Sequence, residues 1–483
     1  MAGQPIAVAI RCARVVFPVP GGPLTTTSIG FECTRRTLAL TESARCKERV
    51  RTVGGRSYRA DVTTYSAVRT TGIYCRPGCG AKPLAENVST FELPAAAEAA
   101  GYRACLRCRP YRVAGTVADE APELVCRAVQ LIIAGLLDQS GEEALGTRLG
   151  VSARHLRRMF HDHLGVTPDQ FARSRRAHFA RRLLDDTDLG IAEIAFASGF
   201  GSLRQFNRAI QEIFRASPRE LRDRRRRGDR LVADGGLVLR LPFTPPYDWE
   251  ATAAFLAAHA IPGVESVEDG VYRRTISLDG EPGVLELGAG GDDYLLLRAH
   301  LPFWEGVMHV VDRAACLAGL DCEPIRARAH LSADPDLGPL VAARPGVRVP
   351  GAWGPFEVAV QAVVRDQLPT DDATEALQKL VQVYGVPVAG LGHGLTHAFP
   401  GPEALTGAEL VGPLAREVAD GNIVLEADLE GLVRSLETVT STRAAQEIAL
   451  RLGARDAWPL AGESERLRPW RSLAAVYRLT SVS

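Results

Sequence analysis

The sequence predicts a multidomain α+β chain with four folded parts: a small four-cysteine domain, an all-α double helix-turn-helix domain, an antiparallel α+β sheet domain and an all-α domain at the C-terminus. Three observations predict it. Cys75, Cys79, Cys105 and Cys108 stand at the spacing C-x3-C-x25-C-x2-C, two close pairs joined by one loop. Between Glu123 and Gly228 helical periodicity persists, and a helix, glycine turn, helix pattern occurs twice. From Leu237 short strand-like runs replace that period, and after Trp304 helices return. At 483 residues the chain is too long for one core.

Composition bounds the function classes. The 57 lysines and arginines balance 57 acidic residues, so the net charge is zero. That average conceals an arginine-crowded stretch from Arg148 to Arg230. A basic segment in a neutral chain points to an anionic partner at one part of the molecule only. No apolar run approaches the ~20 residues that span a bilayer, so no membrane partner is expected. Cys12, Cys33, Cys46, Cys126, Cys316 and Cys322 lack motif spacing, and the first residues do not read as a signal segment. A reducing, cytoplasmic location is expected rather than a disulfide framework.

Residues 1–60 are turn-rich and unpatterned, and irregular structure or disorder is expected there. Residues 61–113 form the four-cysteine domain, entered by a strand over Asp61–Ile73. Each cysteine pair can grip one edge of a tetrahedron, and four thiolates without histidine suit zinc. Arg69, Arg76, Lys82, Arg103, Arg107, Arg109 and Arg112 surround them and make a face that a phosphate can approach. Residues 114–122 read as a linker.

In residues 123–228, Leu124, Ala128, Leu131, Ile132 and Leu136 mark the first amphipathic helix. A short helix then ends at Gly150. Ser152 caps the next, whose buried face is Leu156, Met159, Phe160 and Leu164. Its outer side carries Arg154, His155, Arg157 and Arg158. After a connecting helix from Pro168 to about Leu184 the pattern returns. Gly199 and Gly201 make the turn and Ser202 is the cap. Phe206, Ile210 and Phe214 point inward, and Arg204, Gln205, Asn207 and Arg208 outward. Two such units joined by one helix suit successive major-groove segments of double-stranded DNA. Arginine, glutamine and asparagine pair bidentately with guanine and adenine edges, so these outward residues, with both caps, are the candidate DNA-binding set. The run Arg222–Arg230 is expected to form a phosphate-binding edge or a linker.

Residues 236–302 alternate as strands around one helix: LVLRLPF, then DWEATAAFLAAHA, then GVYRRTISL, GVLELGAG and DYLLLRAHL. Residues 303–483 read as helices over Met308–Leu320, Pro355–Tyr384, Pro402–Asp420, Leu429–Leu452 and Trp470–Leu479. His393 and His397 stand in a glycine-rich loop and read as loop polar groups rather than metal ligands.

The segments TTGIYCRPGC, ENVSTF and GYRACLRCRP resemble the zinc domain of Ada-type DNA alkylation-repair regulators. The resemblance implies zinc held by Cys75, Cys79, Cys105 and Cys108. It also implies that Cys75 takes the methyl group from a methylphosphotriester of the DNA backbone in a stoichiometric reaction. The two helix-turn-helix units resemble an AraC-type DNA-binding domain. That implies an activator which binds promoter sequences and meets RNA polymerase.

The half from Leu237 to Leu479 resembles an AlkA-type 3-methyladenine DNA glycosylase, with its sheet domain and its helix-hairpin-helix domain. In that family a glycine-rich hairpin approaches the DNA backbone, and an aspartate assists cleavage of the glycosidic bond of a flipped base. Here the hairpin reads Leu436 to Ala444 without glycine. The stretch Trp458-Pro459-Leu460-Ala461-Gly462 replaces the aspartate motif and runs on too soon to Arg468-Pro469-Trp470. Asp456 precedes the motif, and Glu463 and Glu465 read as solvated charges. This half is expected to be degenerate, glycosylase by ancestry. Two alternatives remain: a bifunctional repair protein with a working glycosylase, and a DNA-binding regulator whose zinc is structural only.

Overall fold

A computed structural model describes residues 64–76, 79, 81, 83–112, 122–226, 229–231, 236–320, 324–425, 429–462 and 464–481. The expectation for residues 1–60 lies outside them, as do Lys82, Glu463, Cys12, Cys33, Cys46 and Cys322.

The four-cysteine domain is a small sheet with one helix. Its elements are β1 (Tyr65–Val68), β2 (Ile73–Cys75), β3 (Val88–Phe91), α1 (Pro94–Ala99) and β4 (Arg103–Ala104). The strand order is β3-β1-β2-β4; β1 is antiparallel to both neighbours and β2 runs parallel to β4. The single strand expected over Asp61–Ile73 is instead the start of a hairpin. Thr70 and Thr71 favour strand by type, but Gly72 adopts φ +63° and donates to the Val68 carbonyl at 2.9 Å, which turns the chain.

The double helix-turn-helix domain, called the reader below, is helical: α2 (Glu123–Ile133), α3 (Leu136–Gln139), α4 (Glu142–Arg148), α5 (Ala153–Leu164), α6 (Pro168–Asp186), α7 (Ile191–Ala197), α8 (Leu203–Phe214) and α9 (Pro218–Asp223). Ser152 and Ser202 cap α5 and α8 as expected, accepting from the backbone N–H of His155 and Gln205. The turns before them hold Gly150 at φ +70° and Gly199 at φ +77°. Leu156, Phe160 and Leu164 are buried on α5, whereas Met159 is only partly covered. On α8 the buried stripe is Phe206, Ala209, Ile210, Ile213 and Phe214.

The sheet domain comprises β5 (Leu237–Pro242), α10 (Trp249–Ala258), β6 (Glu265–Glu268), β7 (Val271–Leu278), β8 (Glu281–Gly291) and β9 (Tyr294–His300). Its five strands run antiparallel in the order β5-β9-β8-β7-β6. The helical domain follows with α11 (Val307–Leu317), α12 (Ile325–Leu331), α13 (Gly338–Ala343), α14 (Pro355–Gln367), α15 (Thr370–Tyr384), the short pair β10 (Val386–Pro387) and β11 (His397–Ala398), α16 (Gly412–Ala419), α17 (Leu429–Leu436), α18 (Thr442–Arg451) and α19 (Arg471–Ser481). Two expected helices are each two helices. Pro355–Tyr384 breaks at Leu368 and Pro369, because proline pushes the residue before it out of the helical region. Leu429–Leu452 breaks at Glu437–Ser441 into a helical hairpin.

One core runs through all four of these parts. Tyr65, Tyr74 and Ala104 of the first sheet share it with Phe179, Leu183 and Phe214 of the reader, and with Leu239, Leu297 and Val311 beyond. The long helix α6 is its hub. Asp185 is the ion-pair partner of Arg109 and Arg181, while the next residue, Asp186, holds Arg240 of β5 at 2.7 Å. At the other side of the reader, Asp138 pairs with His309 of α11 at 2.6 Å, and Arg175 of α6 with Asp312 at 2.9 Å. Burial pushes the Asp138 carboxyl up, but His309 and Arg176 outweigh it and hold it below the usual carboxylate range. A depressed carboxyl stabilises the fold above its unfolded pKa, and that contribution is lost as pH falls through the folded value. The Asp138→Asn variant should therefore unfold at lower temperature than wild type at pH 7, with the gap narrowing as the solution is acidified; a constant gap in thermal melts would contradict this.

Candidate metal centre and nucleic-acid interface

Strand register assembles the cysteines. Parallel pairing sets Ile73 beside Arg103 and Tyr74 beside Ala104, so the next residues, Cys75 and Cys105, reach the same level. The Cys105 N–H donates to the Tyr74 carbonyl at 2.9 Å and locks that level. The chain then turns tightly: the Arg109 N–H returns to the Cys105 carbonyl at 3.0 Å, with Arg109 itself at φ +51°. This turn brings Cys108 round. The sulfurs of Cys75, Cys105 and Cys108 all lie within 4.8 Å of one another. Cys79 stands outside that group but near enough to act electrostatically on Cys75. Three of the four expected ligands are thus brought together and the fourth lies beside them.

The donor set fits zinc. Tetrahedral Zn–S bonds of about 2.3 Å hold sulfurs roughly 3.8 Å apart, within the spacing seen here. The backbone N–H of Arg76 approaches the Cys108 sulfur at 3.5 Å, and that of Cys108 approaches the Cys105 sulfur at 3.5 Å. Such donors favour thiolates. Burial pushes the Cys75 thiol far up, and the neighbouring Cys108, Cys105 and Cys79 add to it. Burial likewise pushes Cys108 up to about 12, while the N–H groups of Cys108 and Arg107 overcome burial and lower Cys105. Several thiolates at one point therefore need a cation among them.

The basic surround is smaller than its sequence suggests. Arg109 is buried, 2.6 Å from Asp229 and 3.5 Å from Asp185, so it anchors the domain instead of facing a phosphate. Arg69 donates to the Glu86 carbonyl, and Arg107 is exposed. On the reader, Ser152, Arg154, Arg157 and Arg158 are exposed on α5 and its cap, and Arg204, Gln205, Asn207 and Arg208 on α8; His155 and Ser202 are half-buried. Arg157 is tied to Glu142, which also accepts from the Asp169 N–H at 3.1 Å. Arg158 reaches His155 at 3.0 Å, and Arg208 pairs with Glu212 at 2.8 Å. Sequence reasoning did not single out Leu203, which is exposed at the start of α8 beside Arg204. An apolar residue capping a polar helix face was the available signal.

The run Arg222–Arg230 does a different task from the phosphate edge expected. Arg222 donates to the Leu189 carbonyl at 2.8 Å. Arg225 reaches the Thr187 carbonyl at 2.9 Å and Asp188 at 2.7 Å, and Arg230 also pairs with Asp188 at 2.6 Å. These cations hold the 187–189 loop; Arg224 and Arg226 remain exposed.

In the C-terminal half the hairpin closes without glycine. The Thr440 N–H donates to the Leu436 carbonyl at 2.8 Å and Ser441 caps α18, with no residue from Glu437 to Ser441 at positive φ. Asp456 is bound by Arg468 at 2.9 Å and by Arg471 at 2.7 Å, and Glu465 is exposed and paired with Arg468. Arg478 lies over the Trp458 ring and Arg455 over Trp470. His393 pairs with Glu268 at 2.7 Å in its loop, whereas His397 lies in β11 and meets Thr396. Between the two subdomains lies a buried charge cluster: Arg274 meets Glu357 at 2.8 Å and Glu265 at 3.3 Å, and Gln361 donates to the His259 carbonyl at 3.0 Å. No helix among the described residues is long and apolar enough to cross a membrane.

Comparison with known proteins agrees with this architecture part by part. Family models match at residues 48–111 (metal binding domain of Ada), 145–224 (helix-turn-helix domain) and 238–354 (AlkA N-terminal domain). The first of these begins upstream of the described residues. A Mycobacterium tuberculosis protein described as a probable bifunctional transcriptional activator/DNA repair enzyme AlkA is 35% identical over 475 residues, covering 89% of this chain and 95% of its own. The Escherichia coli bifunctional transcriptional activator/DNA repair enzyme Ada is 32% identical across 36% of this chain and 48% of its own. The Escherichia coli DNA-3-methyladenine glycosylase 2 is 31% identical across 35% of this chain and 57% of its own. The chain therefore belongs to the family of bifunctional transcriptional activator/DNA repair proteins in which an Ada-type zinc domain and an AraC-type helix-turn-helix domain are fused to an AlkA-type half.

Proposed function

We propose that this protein senses DNA alkylation at Cys75 and reports it through the reader domain. The observation that carries the reading is the buried Cys75 inside a three-sulfur cluster, in a small domain whose Tyr65, Tyr74 and Ala104 share one core with α6 and α8. Bound at Cys75, Cys79, Cys105 and Cys108, zinc would keep the sulfurs as thiolates at neutral pH. The Cys75 sulfur then attacks the methyl carbon of a backbone methylphosphotriester. An S–C bond forms, the C–O bond breaks, and the phosphodiester anion leaves. The thioether does not turn over, so the reaction is stoichiometric. It also removes one negative charge from the site, which lowers repulsion towards DNA phosphate and favours promoter binding and contact with RNA polymerase. Such a protein works in the cytoplasm beside the chromosome.

Mass spectrometry of the intact zinc protein after incubation with methylphosphotriester DNA tests this. One methyl is expected on the peptide holding Cys75, and none on the same peptide of Cys75→Ser. An unmodified Cys75 would overturn the reading and leave the zinc structural.

Arg154, Arg204, Gln205 and Asn207 make no side-chain hydrogen bond or ion pair among the described residues, which supports a base-reading role; Leu203 fits a thymine methyl. Gln205→Ala should cost about 1–3 kcal/mol of affinity at one base pair and relax specificity there, whereas loss of a phosphate contact weakens all sequences alike. Binding to a panel of single-substituted duplexes separates the two.

We read the C-terminal half as inactive in base excision, because Asp456 is neutralised by two arginines and Glu465 is solvated. No release of 3-methyladenine from alkylated DNA is expected. Release that Asp456→Asn abolishes would reverse this reading.

A further inference from the structure

β2 carries Cys75 on one side and, by strand alternation, Tyr74 on the other. Tyr74 is fully buried. Its hydroxyl donates to Glu98 Oε1 of α1 at 2.7 Å. The same carboxylate oxygen lies 2.6 Å from Nε2 of His178, which is itself 3.2 Å from the Tyr74 hydroxyl. A carboxylate only accepts, so His178 donates to Glu98 from Nε2. The other oxygen, Oε2, is buried with no hydrogen-bond partner among the described residues, so within them Glu98 is held by these two donors.

His178 belongs to α6, the helix that joins the two reader units. Its ring lies against Phe214, the last residue of α8, at 5.7 Å, and edge-on to Tyr111 at 6.4 Å. Tyr111 closes the circuit, packing on Phe214 at 6.0 Å and donating to Asp185 at 2.8 Å. The strand that bears Cys75 is therefore tied through one carboxylate to the connecting helix and to the end of the second recognition helix. α8 also packs on β4, the strand that leads to Cys105.

We infer that Glu98 and His178 are positioning residues that couple the chemical state of Cys75 to the DNA affinity of α8. This rests on Cys75 being the methyl acceptor. Any shift of β2 when a ligand sulfur gains a methyl group moves Tyr74, and the buried Glu98 bridge passes that shift to α6 instead of letting it dissipate. A packed, fully committed contact of this kind has two discrete arrangements rather than a soft continuum.

The test uses the full-length zinc protein as wild type, Glu98→Gln and His178→Phe. Phenylalanine keeps the ring between Tyr111 and Phe214 while removing the nitrogen. For each protein, affinity for a duplex selected with the methylated wild type is measured before and after methylation, and methyl uptake is counted by mass spectrometry. All three should take up one methyl. The wild type should bind more tightly once methylated, and in both variants that gain should shrink by at least about fivefold, the lower end of ordinary allosteric couplings. A merely structural role would weaken both forms alike, so an unchanged gain in the variants overturns the inference alone. No methyl on wild-type Cys75 overturns the reading of Cys75 and this inference with it. Should Glu98→Gln fail to fold, His178→Phe carries the comparison.

Discussion

Removing zinc with a strong chelator is expected to unfold residues 64–112 of the full-length protein, and Cys105→Ser should do the same without a chelator. The domain has little else to hold it: its own buried apolar side chains are few, about half of them alanine, with Tyr65, Tyr74, Leu93 and Tyr111 the large ones. Metal binding to small cysteine domains contributes about 10–16 kcal/mol of apparent free energy, far more than such a core supplies. Amide hydrogen exchange reads the effect directly. Protection over Tyr65–Val68 and Ile73–Cys75 should vanish on chelation, while α10 and the five-stranded sheet keep theirs. Because the ligands must be deprotonated, the same loss should follow acidification. Unchanged protection at β1 after chelation would mean that packing on α6 alone holds the domain.

The second large effect lies in the C-terminal half. Arg274 is buried between Glu357 and Glu265, and its guanidinium also lies over the Trp353 ring. Arg274→Ala leaves two carboxylates buried without their cation, which costs about 3–5 kcal/mol. Burial already pushes Glu357 above its ordinary value. Arg274 works against that rise, and repulsion from Glu265 adds to it. Without Arg274 the rise is greater. A carboxyl whose folded pKa is raised contributes stability at low pH that is lost as pH rises through the folded value. The penalty of Arg274→Ala in urea unfolding should therefore be larger at pH 7 than at pH 5. An equal penalty at both would show that packing on Trp353, rather than charge, is what the arginine supplies.

These sites differ in how far the sequence discloses them. The reader was legible because its signals are local: a cap, a glycine turn and a buried stripe all fall within a dozen residues, and Ser152, Ser202, Phe206 and Phe214 behave as their types dictate. The cysteine pairs were legible from spacing, although spacing did not foresee that Cys79 would stand apart from the other three. Charge was the poorer guide, because a residue's type does not say which way it faces. Arg109 reads like Arg107 in sequence, yet it turns inward to Asp185 and Asp229. Arg222, Arg225 and Arg230 look like a phosphate edge and instead hold a loop. Pro369 carried the break between α14 and α15 in plain view, and helical periodicity on both sides masked it. The Tyr74, Glu98 and His178 cluster had no sequence signal at all, since its contacts span 24, 80 and 104 residues. The glycine-free hairpin closes through Thr440 and Ser441 in ordinary backbone conformations, with no residue at positive φ, as its residue types dictate.

Asp185 and Asp186 sit next to each other on α6, one turned to the zinc domain and the other to Arg240 of the sheet domain. That adjacency bears on how the gene can change. A change in base-excision residues need not reach the helix-turn-helix domain, but Arg240 and the strands that carry it cannot be deleted without breaking the ion pair with Asp186. Any loss of base-excision chemistry would thus leave untouched the sheet domain's part in bracing α6, the helix between the two helix-turn-helix units.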